Sequence, residues 1–385
     1  MAEKIKKIKL LFVNQTLDIG GAEVFHTDLL SSLQKQHVDI RAYVSEPRYV
    51  NMLLEKKIQT QKIPVILDIV GNWKGLFKAF LLFPAAFLYY WTILAKNRNA
   101  DLVLLSSFTE KFLVSPIAFF YRLPVLWIEF GPVHPLLKKF FGLPNIFYKM
   151  VSFIPQKVIV PSLHTQKSLI EHQNVFARKI VVIPCGRDIT ADQVRMLSQQ
   201  KIVKNTILCL SRMEKGKGQD LLIKAFSMTR KENPNAMLQI SGMSSWQTEL
   251  SSLVKKLGLE DSVHFLGTVQ DPLVCIARSQ VCVFPSVWEL EGFGLVMIEA
   301  MALGKPVVAF KVGPTSEIIR DQENGFLVEK ENVTQLADKL LKVLKQTKEI
   351  QIISAQAKND FYHLFQIEKV SKKYMDIFLR IKRST

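Results

Sequence analysis

Four stretches of this 385-residue chain carry side chains whose types and spacing could do chemistry. EGFGLVMIEAMALGKPVV (291–308) sets Glu291 and Glu299 eight positions apart around Phe293-Gly294, with an apolar helical run behind them. At the start of that run the backbone N–H groups of Phe293, Gly294 and Leu295 have no acceptor within a helix. Glu299 falls four residues after Leu295, on the same helical face. Its neighbours Val296, Ile298, Ala300 and Met301 make this a buried helix, where a carboxylate needs partners. One carboxylate can accept hydrogen bonds from both hydroxyls of a sugar diol. In SRMEKGKGQDLLIKAF (211–226), Arg212 closes an apolar run and Lys217 follows five residues later, before a helix starting near Asp220. A guanidinium fork and a point-charge ammonium on one loop suit a diphosphate. VNQTLDIGGAEVFHTDLL (13–30) turns from strand to helix through Gly20-Gly21, where the backbone can approach a ligand closely and the helix start favours an anion. The spacing is not G-x-G-x-x-G, so no dinucleotide fingerprint is present. KVGPTSEIIRDQENGFLVE (311–329) repeats the strand, turn and short helix, with Glu317 near the helix start and a tight turn at Asn324-Gly325. Taken singly, Gly20-Gly21 reads equally as a plain turn, Arg212 and Lys217 as a solvated pair, and Glu299 as a surface ion pair.

The elements that must position these residues alternate along the chain. Apolar or β-branched runs at 9–15, 40–44, 101–106, 124–129, 157–162 and 179–184 read as strands in the first half, and 206–211, 237–242, 263–267, 281–286, 306–310 and 325–329 in the second. Helical stretches such as 220–231 and 249–258 lie between them. Near-continuously apolar strands separated by helices predict parallel sheets covered on both faces. CGRDITADQVRMLSQQKIVKN (185–205), polar and without a strand, separates the two series. The expected architecture is therefore α/β, two Rossmann-like doubly wound domains facing a cleft, with ligands outside the carboxyl ends of the strands. Its expected bounds are an N-terminal domain at 1–188, a linker at 189–204, a C-terminal domain at 205–361 and a last helix at 362–385.

Length and composition agree with two folded domains. Cys185, Cys209, Cys275 and Cys282 are scattered without C-x-x-C spacing and read as reduced, buried thiols of a cytoplasmic protein rather than a zinc site. The net charge is +17, and residues 1–200 hold 25 Lys+Arg against 14 Asp+Glu, so that half carries +11 and the rest +6. Such a surface suits an anionic membrane or an anionic substrate, and no nucleic-acid-binding signature accompanies it. The opening residues MAEKIKKIKLLFVNQ contain only a four-residue apolar run, Leu10 to Val13, too short for a signal-peptide core. LFKAFLLFPAAFLYYWTILAK (76–96) is uncharged between Lys78 and Lys96 but interrupted by Pro84. It allows three readings: a buried helix, a helix lying in a membrane interface, or a span. LLKKFFGLPNIFYKM (136–150) repeats the interfacial mixture of lysines and aromatics.

Together these stretches resemble the family-4 retaining glycosyltransferases, which have two Rossmann-like domains in the GT-B arrangement. Gly20-Gly21-Ala22-Glu23 is similar to that family's N-terminal glycine loop, Arg212 and Lys217 to its strand-end Arg and loop Lys, Glu291 and Glu299 to its E-x7-E pair, and NGFLV (324–328) to its closing strand. The resemblance implies that Arg212 and Lys217 hold the donor diphosphate and neutralise the departing nucleotide. It implies that Glu299 binds the ribose, and that Glu291 holds the transferred sugar with the N–H groups of Phe293 and Gly294. Leu295, Gly242 at the end of the strand 237–242, and the Gly20-Gly21 loop complete the implied donor site. The implied reaction is retaining transfer of a hexose from a UDP-, GDP- or ADP-sugar to a glycan or lipid-linked acceptor, at the inner face of a membrane. No cofactor is implied, and without a D-x-D no bound metal is expected. The last helix is implied to cross back to the N-terminal domain. Three departures stand out. The family often has a His two residues past the last apolar position of the strand 124–129; Phe130 stands there, and His134 is the candidate for the same space and a catalytic role. Pro314 replaces a usual Gly in GPTSE (313–317), and WELEGFG is one residue longer than the commonest form between Ser286 and Glu291. Rival readings are a non-catalytic nucleotide-sugar or glycan-binding protein, or a sugar-nucleotide epimerase, on the same fold.

Overall fold

The computed structural model describes residues 7–69, 71–242 and 246–384; the lysines at 4 and 6 in the opening segment lie outside them. The chain divides into two compact units, one built from residues up to Gly186 together with Ile367 onward, the other from Arg187–Gln366.

The first unit is a seven-stranded sheet, every pairing parallel, in the order β3-β2-β1-β4-β5-β6-β7. Its strands are β1 Ile8–Asn14, β2 Val38–Val44, β3 Gln59–Lys62, β4 Leu102–Leu105, β5 Val125–Ile128, β6 Lys157–Val160 and β7 Ile180–Val182. The second is a six-stranded parallel sheet in the order β10-β9-β8-β11-β12-β13, with β8 Thr206–Leu210, β9 Met237–Ser241, β10 Val263–Gly267, β11 Val281–Phe284, β12 Val307–Phe310 and β13 Phe326–Val328. Strands such as LVLL, VLWI, VCVF and VVAF are buried at every position, as a sheet covered by helices on both faces demands. The strand order reverses between β1 and β4 and again between β8 and β11, and these switch points open crevices at the carboxyl ends of the strands.

All twelve strands expected from the sequence are present. The one missed, β3, reads QTQK and has no buried residue, because it pairs only at the sheet edge and needs no apolar face. The segment read as a linker without a strand contains a helix, Ala191–Ser198, opened by a capping box between Thr190 and Gln193.

The last helix, Ile367–Ser384, packs on the first unit, against the helix Gly21–Lys35. Ser371 and Ser32 share a hydrogen bond of 2.8 Å, and Tyr374 lies against Phe25 with ring centroids 6.4 Å apart. It starts later than expected because Phe361–Phe365 forms a π-helical turn before it.

The long apolar segment is a single 24-residue helix, Trp73–Lys96, that carries Pro84 within it. The buried-helix reading is corrected: only Ala79, Ala86, Tyr90, Ile93 and Leu94 are buried, while Phe77 and Phe80 are 66% and 77% exposed. One narrow face, Tyr90 included, packs into the core of the first unit against the helix Phe108–Phe120, while Phe77, Phe80, Phe83 and Phe87 are exposed. Among the described residues this is the one helix long and apolar enough to cross a membrane by length and composition.

Candidate active site

In the second unit, the residues singled out above gather at the carboxyl ends of β8, β9 and β11. The loop after β8 is held down by Gln219, whose side-chain amide donates to the Arg212 carbonyl at 2.8 Å and the Ser211 hydroxyl at 2.7 Å. Gly218 has a left-handed φ of 72°, and a Cβ there would fall 1.8 Å from the Pro285 carbonyl oxygen. Only glycine lets the two loops approach this closely. The Val287 N–H donates to the Gly216 carbonyl at 2.8 Å and ties them again.

This closeness pairs two expected site residues directly. The Lys217 ammonium donates to Glu291 Oε2 at 2.7 Å and sits 4.6 Å from the Trp288 ring centroid. The Ser286 hydroxyl donates to the same carboxylate oxygen at 2.9 Å. The extra residue before Glu291 is absorbed in a turn closed by the Glu291 N–H on the Trp288 carbonyl at 3.1 Å, so the carboxylate still reaches Lys217. Arg212 projects further out, with its side chain 62% exposed and its guanidinium 3.1 Å from Glu214.

The helix Leu295–Ala302 starts from Gly294, whose φ of 97° turns the chain, and Phe293 beside it is buried. Glu299 is 7% exposed and takes a hydrogen bond from Arg187 Nε at 2.8 Å. Gly242 donates its N–H to the Gly267 carbonyl at 2.9 Å, and a Cβ there would lie 2.1 Å from the Ser211 carbonyl oxygen. It therefore shapes the floor beside Arg212. Asn324, buried, donates to Asp360 at 2.7 Å and serves its own turn.

In the first unit, the Gly20 N–H donates to Glu23 Oε2 at 2.9 Å, which secures the start of the helix Gly21–Lys35. Beyond β4 and β5 lies a buried polar network that the sequence did not signal. Lys111, fully buried, places its ammonium 2.7 Å from the Ser106 carbonyl, 2.8 Å from that of Ile128 and 2.7 Å from Glu129 Oε1. The Tyr148 hydroxyl donates to the same Glu129 oxygen at 2.7 Å. Burial pushes the neighbouring Glu110 carboxyl up to about 8, and burial together with the Lys111 charge lowers His26 to about 3.

Phe130 packs edge-on against His26, with centroids 5.0 Å apart, and against Phe25. His134 has other surroundings: its ring lies on that of His172, with centroids 4.1 Å apart. The expectation that His134 fills the space of Phe130 is thereby corrected, because the short helix His134–Leu137 turns it toward the helix Leu163–Gln173.

The cysteines lack reactive surroundings. Cys185, Cys209 and Cys282 are buried, and burial raises Cys209 to about 12 and Cys282 to about 11. Among the described residues no three His, Cys, Asp or Glu side chains gather in a way that could hold a metal ion. A cavity of about 570 Å³ opens at the opposite, amino-terminal end of the second sheet, where Asn205, Gln280, Lys305 and Pro306 are among its walls, and includes none of the site residues.

Sequence reasoning missed Arg187, Trp288 and Ser286 as neighbours of the glutamates. The only signal for Arg187 was a cation shortly after the last strand of the first series, in a segment otherwise read as linker.

Two doubly wound parallel-sheet units in series are the GT-B arrangement, and the chain has that fold. It matches the Glycosyl transferases group 1 over residues 197–360 and Glycosyltransferase Family 4 over residues 19–191. It is 31% identical over 171 residues to a poly(ribitol-phosphate) alpha-N-acetylglucosaminyltransferase of Staphylococcus aureus, covering 44% of this chain and 34% of that one. It is 30% identical over 177 residues to an N-acetyl-alpha-D-glucosaminyl L-malate synthase of Bacillus anthracis, covering 46% of each. The matches thus span half or less of the length of such curated relatives. In fold it is similar to Anabaena HepE in complex with UDP, with a TM-score of 0.79 at 21% identity over 97% of this chain and 100% of that one. A glycosyltransferase from Rickettsia africae gives a TM-score of 0.80 at 22% identity over 98% of this chain and 100% of that one.

Proposed function

We propose that this glycosyltransferase moves a hexose, with retention of configuration, from a nucleotide-sugar to a glycan or lipid-linked acceptor at the cytoplasmic face of a membrane. The observation that carries the reading is the Lys217–Glu291 pair, 2.7 Å apart, beside Arg212 and one short helix from Glu299. An ammonium held by a carboxylate is a site poised for exchange. Donor diphosphate replaces Glu291 as the partner of Lys217, and Glu291 turns its oxygens to the sugar hydroxyls. Arg212, exposed at the loop tip, adds a second cation to the same phosphates. The charge that builds on the departing nucleotide is thus met by cations already in place. Glu299 accepts the ribose hydroxyls, and Phe293, Gly294 and Leu295 supply helix-start N–H groups. No step falls to His134 and none to a divalent metal. Structures of HepE with UDP and with UDP-glucose support a uridine donor among the candidates.

The exposed aromatic face supports the membrane part of the reading. Trp73 contacts Phe140 and Phe141 at the tip beside Lys138 and Lys139, with Phe141 94% exposed. Along the same helix, Phe83, Phe87 and Trp91 run on to Phe120. Apolar rings bordered by lysines fit an anionic lipid surface.

The test is transfer by purified protein from UDP-, GDP- and ADP-hexoses. Lys217→Ala and Glu299→Ala are each expected to lower kcat/KM by about 100-fold or more, with weaker donor binding, and EDTA is expected to leave the wild-type rate unchanged. Intact transfer in both variants would end the reading.

A further inference from the structure

The chain passes between its two units twice, at 186/187 and at 366/367, and both segments on the second unit's side bear on the candidate donor site. The Arg187 N–H donates to the Phe365 carbonyl at 2.9 Å, and Arg187 pairs with Gln366 as a parallel bridge. From this fixed backbone the Arg187 side chain, 13% exposed, donates through Nε to Glu299 Oε1 at 2.8 Å. Phe365 meets Phe293 edge-on, with ring centroids 5.9 Å apart. The two crossing segments therefore touch the same strand–loop–helix unit, Phe365 just before the helix Leu295–Ala302 by an aromatic contact and Arg187 within it by charge.

From this geometry we infer that Arg187 is a positioning residue for Glu299, fixing its carboxylate for the ribose diol of the donor. The inference rests on the proposed role of Glu299. A buried carboxylate without a cation tends to take up a proton and becomes a hydroxyl donor as well as an acceptor. Arg187 supplies that cation at 2.8 Å, leaving the carboxylate's remaining lone pairs to accept from both sugar hydroxyls. Donation through Nε also fixes the carboxylate's rotation from one side. Since the guanidinium springs from backbone tied to Phe365, the ribose is read by a carboxylate whose aim is set where the chain crosses between units.

The test is equilibrium binding of UDP, GDP and ADP, each against its 2′,3′-dideoxy counterpart, to the full-length wild type, Arg187→Ala and Arg187→Gln, with thermal melting as the check on folding. For the nucleotide that binds, the wild type is expected to favour the ribo form by about 10-fold or more, the size of a hydrogen-bonded pair to a charged group. In either folded Arg187 variant that preference should fall below about threefold, while affinity for the dideoxy form changes little. A wild-type preference retained in a folded variant overturns the role of Arg187 and leaves that of Glu299 standing. A wild type that binds both forms alike overturns the Glu299 assignment, and this inference with it.

Discussion

Glu110 and Lys111 are adjacent in SSFTEKFLVSP and give no sign in the sequence of what the fold does with them. Both end up fully buried, which the alternation of charges in a helix start cannot reveal, since a solvated turn reads the same. The Lys111 ammonium has two carbonyls and Glu129 around it, whereas the Glu110 carboxyl is pushed by burial from 4.5 up to about 8. Below pH 4.5 the carboxyl holds its proton folded and unfolded alike. Between about 4.5 and 8 the unfolded chain has released the proton and the folded one has not, so stability declines with rising pH and levels off above about 8. Glu110→Gln removes that decline. Its gain over the wild type should be near zero at acid pH and on the order of a few kcal/mol above pH 8, read as paired denaturant midpoints across the pH range; a gain constant with pH would contradict it. The glutamates of the second unit stand out in the sequence as candidates. Glu291 and Glu299 were legible as candidate site residues from an acid placed on an apolar strand–loop–helix unit, but their pairing with Lys217 and Arg187 was not, since those contacts join segments remote in sequence.

The strands were read from apolar runs, and twelve of thirteen came through because a strand inside a parallel sheet must be apolar on both faces. β3 escaped because an edge strand is exempt. The loops were legible only as glycine positions; what the glycines are for appeared with the structure. Gly218 is the sharpest case, with a left-handed φ and no room for a Cβ under the Pro285 carbonyl. Gly218→Ala should force apart the loops that bring Lys217 to Glu291. We expect a donor affinity at least about 10-fold weaker, together with a loss of about 1–3 kcal/mol in stability, seen by calorimetry and melting. Unchanged donor affinity would show that the loops do not need each other. For the helix Trp73–Lys96 the sequence left three readings open, because apolar composition alone does not say what the apolar surface faces. Its exposure in the fold closes the first of them.

The whole molecule carries its charge unevenly, with +11 in the first 200 residues. If the aromatic face meets anionic lipid, the protein should float with phosphatidylglycerol-containing vesicles, remain behind with phosphatidylcholine alone, and release as salt shortens the screening length. Phe77→Ser with Phe80→Ser should lower that binding and leave donor affinity as it was. Absence from anionic vesicles at low salt would remove the surface from the proposal, and release only by detergent would instead identify a span. The return of the helix Ile367–Ser384 to the first unit has a consequence for how the protein is made. At about 5–20 residues per second, roughly ten to forty seconds of synthesis separate the last strand of the first unit from the helix that closes it. Through that interval the face of Phe25 and Ser32 awaits Tyr374 and Ser371, while the second unit, one unbroken stretch, is free to fold at once. The first half of the protein to be translated is thus the last to be finished. Substitutions in the closing helix should show themselves in yield and in chaperone dependence before they show in catalytic rate.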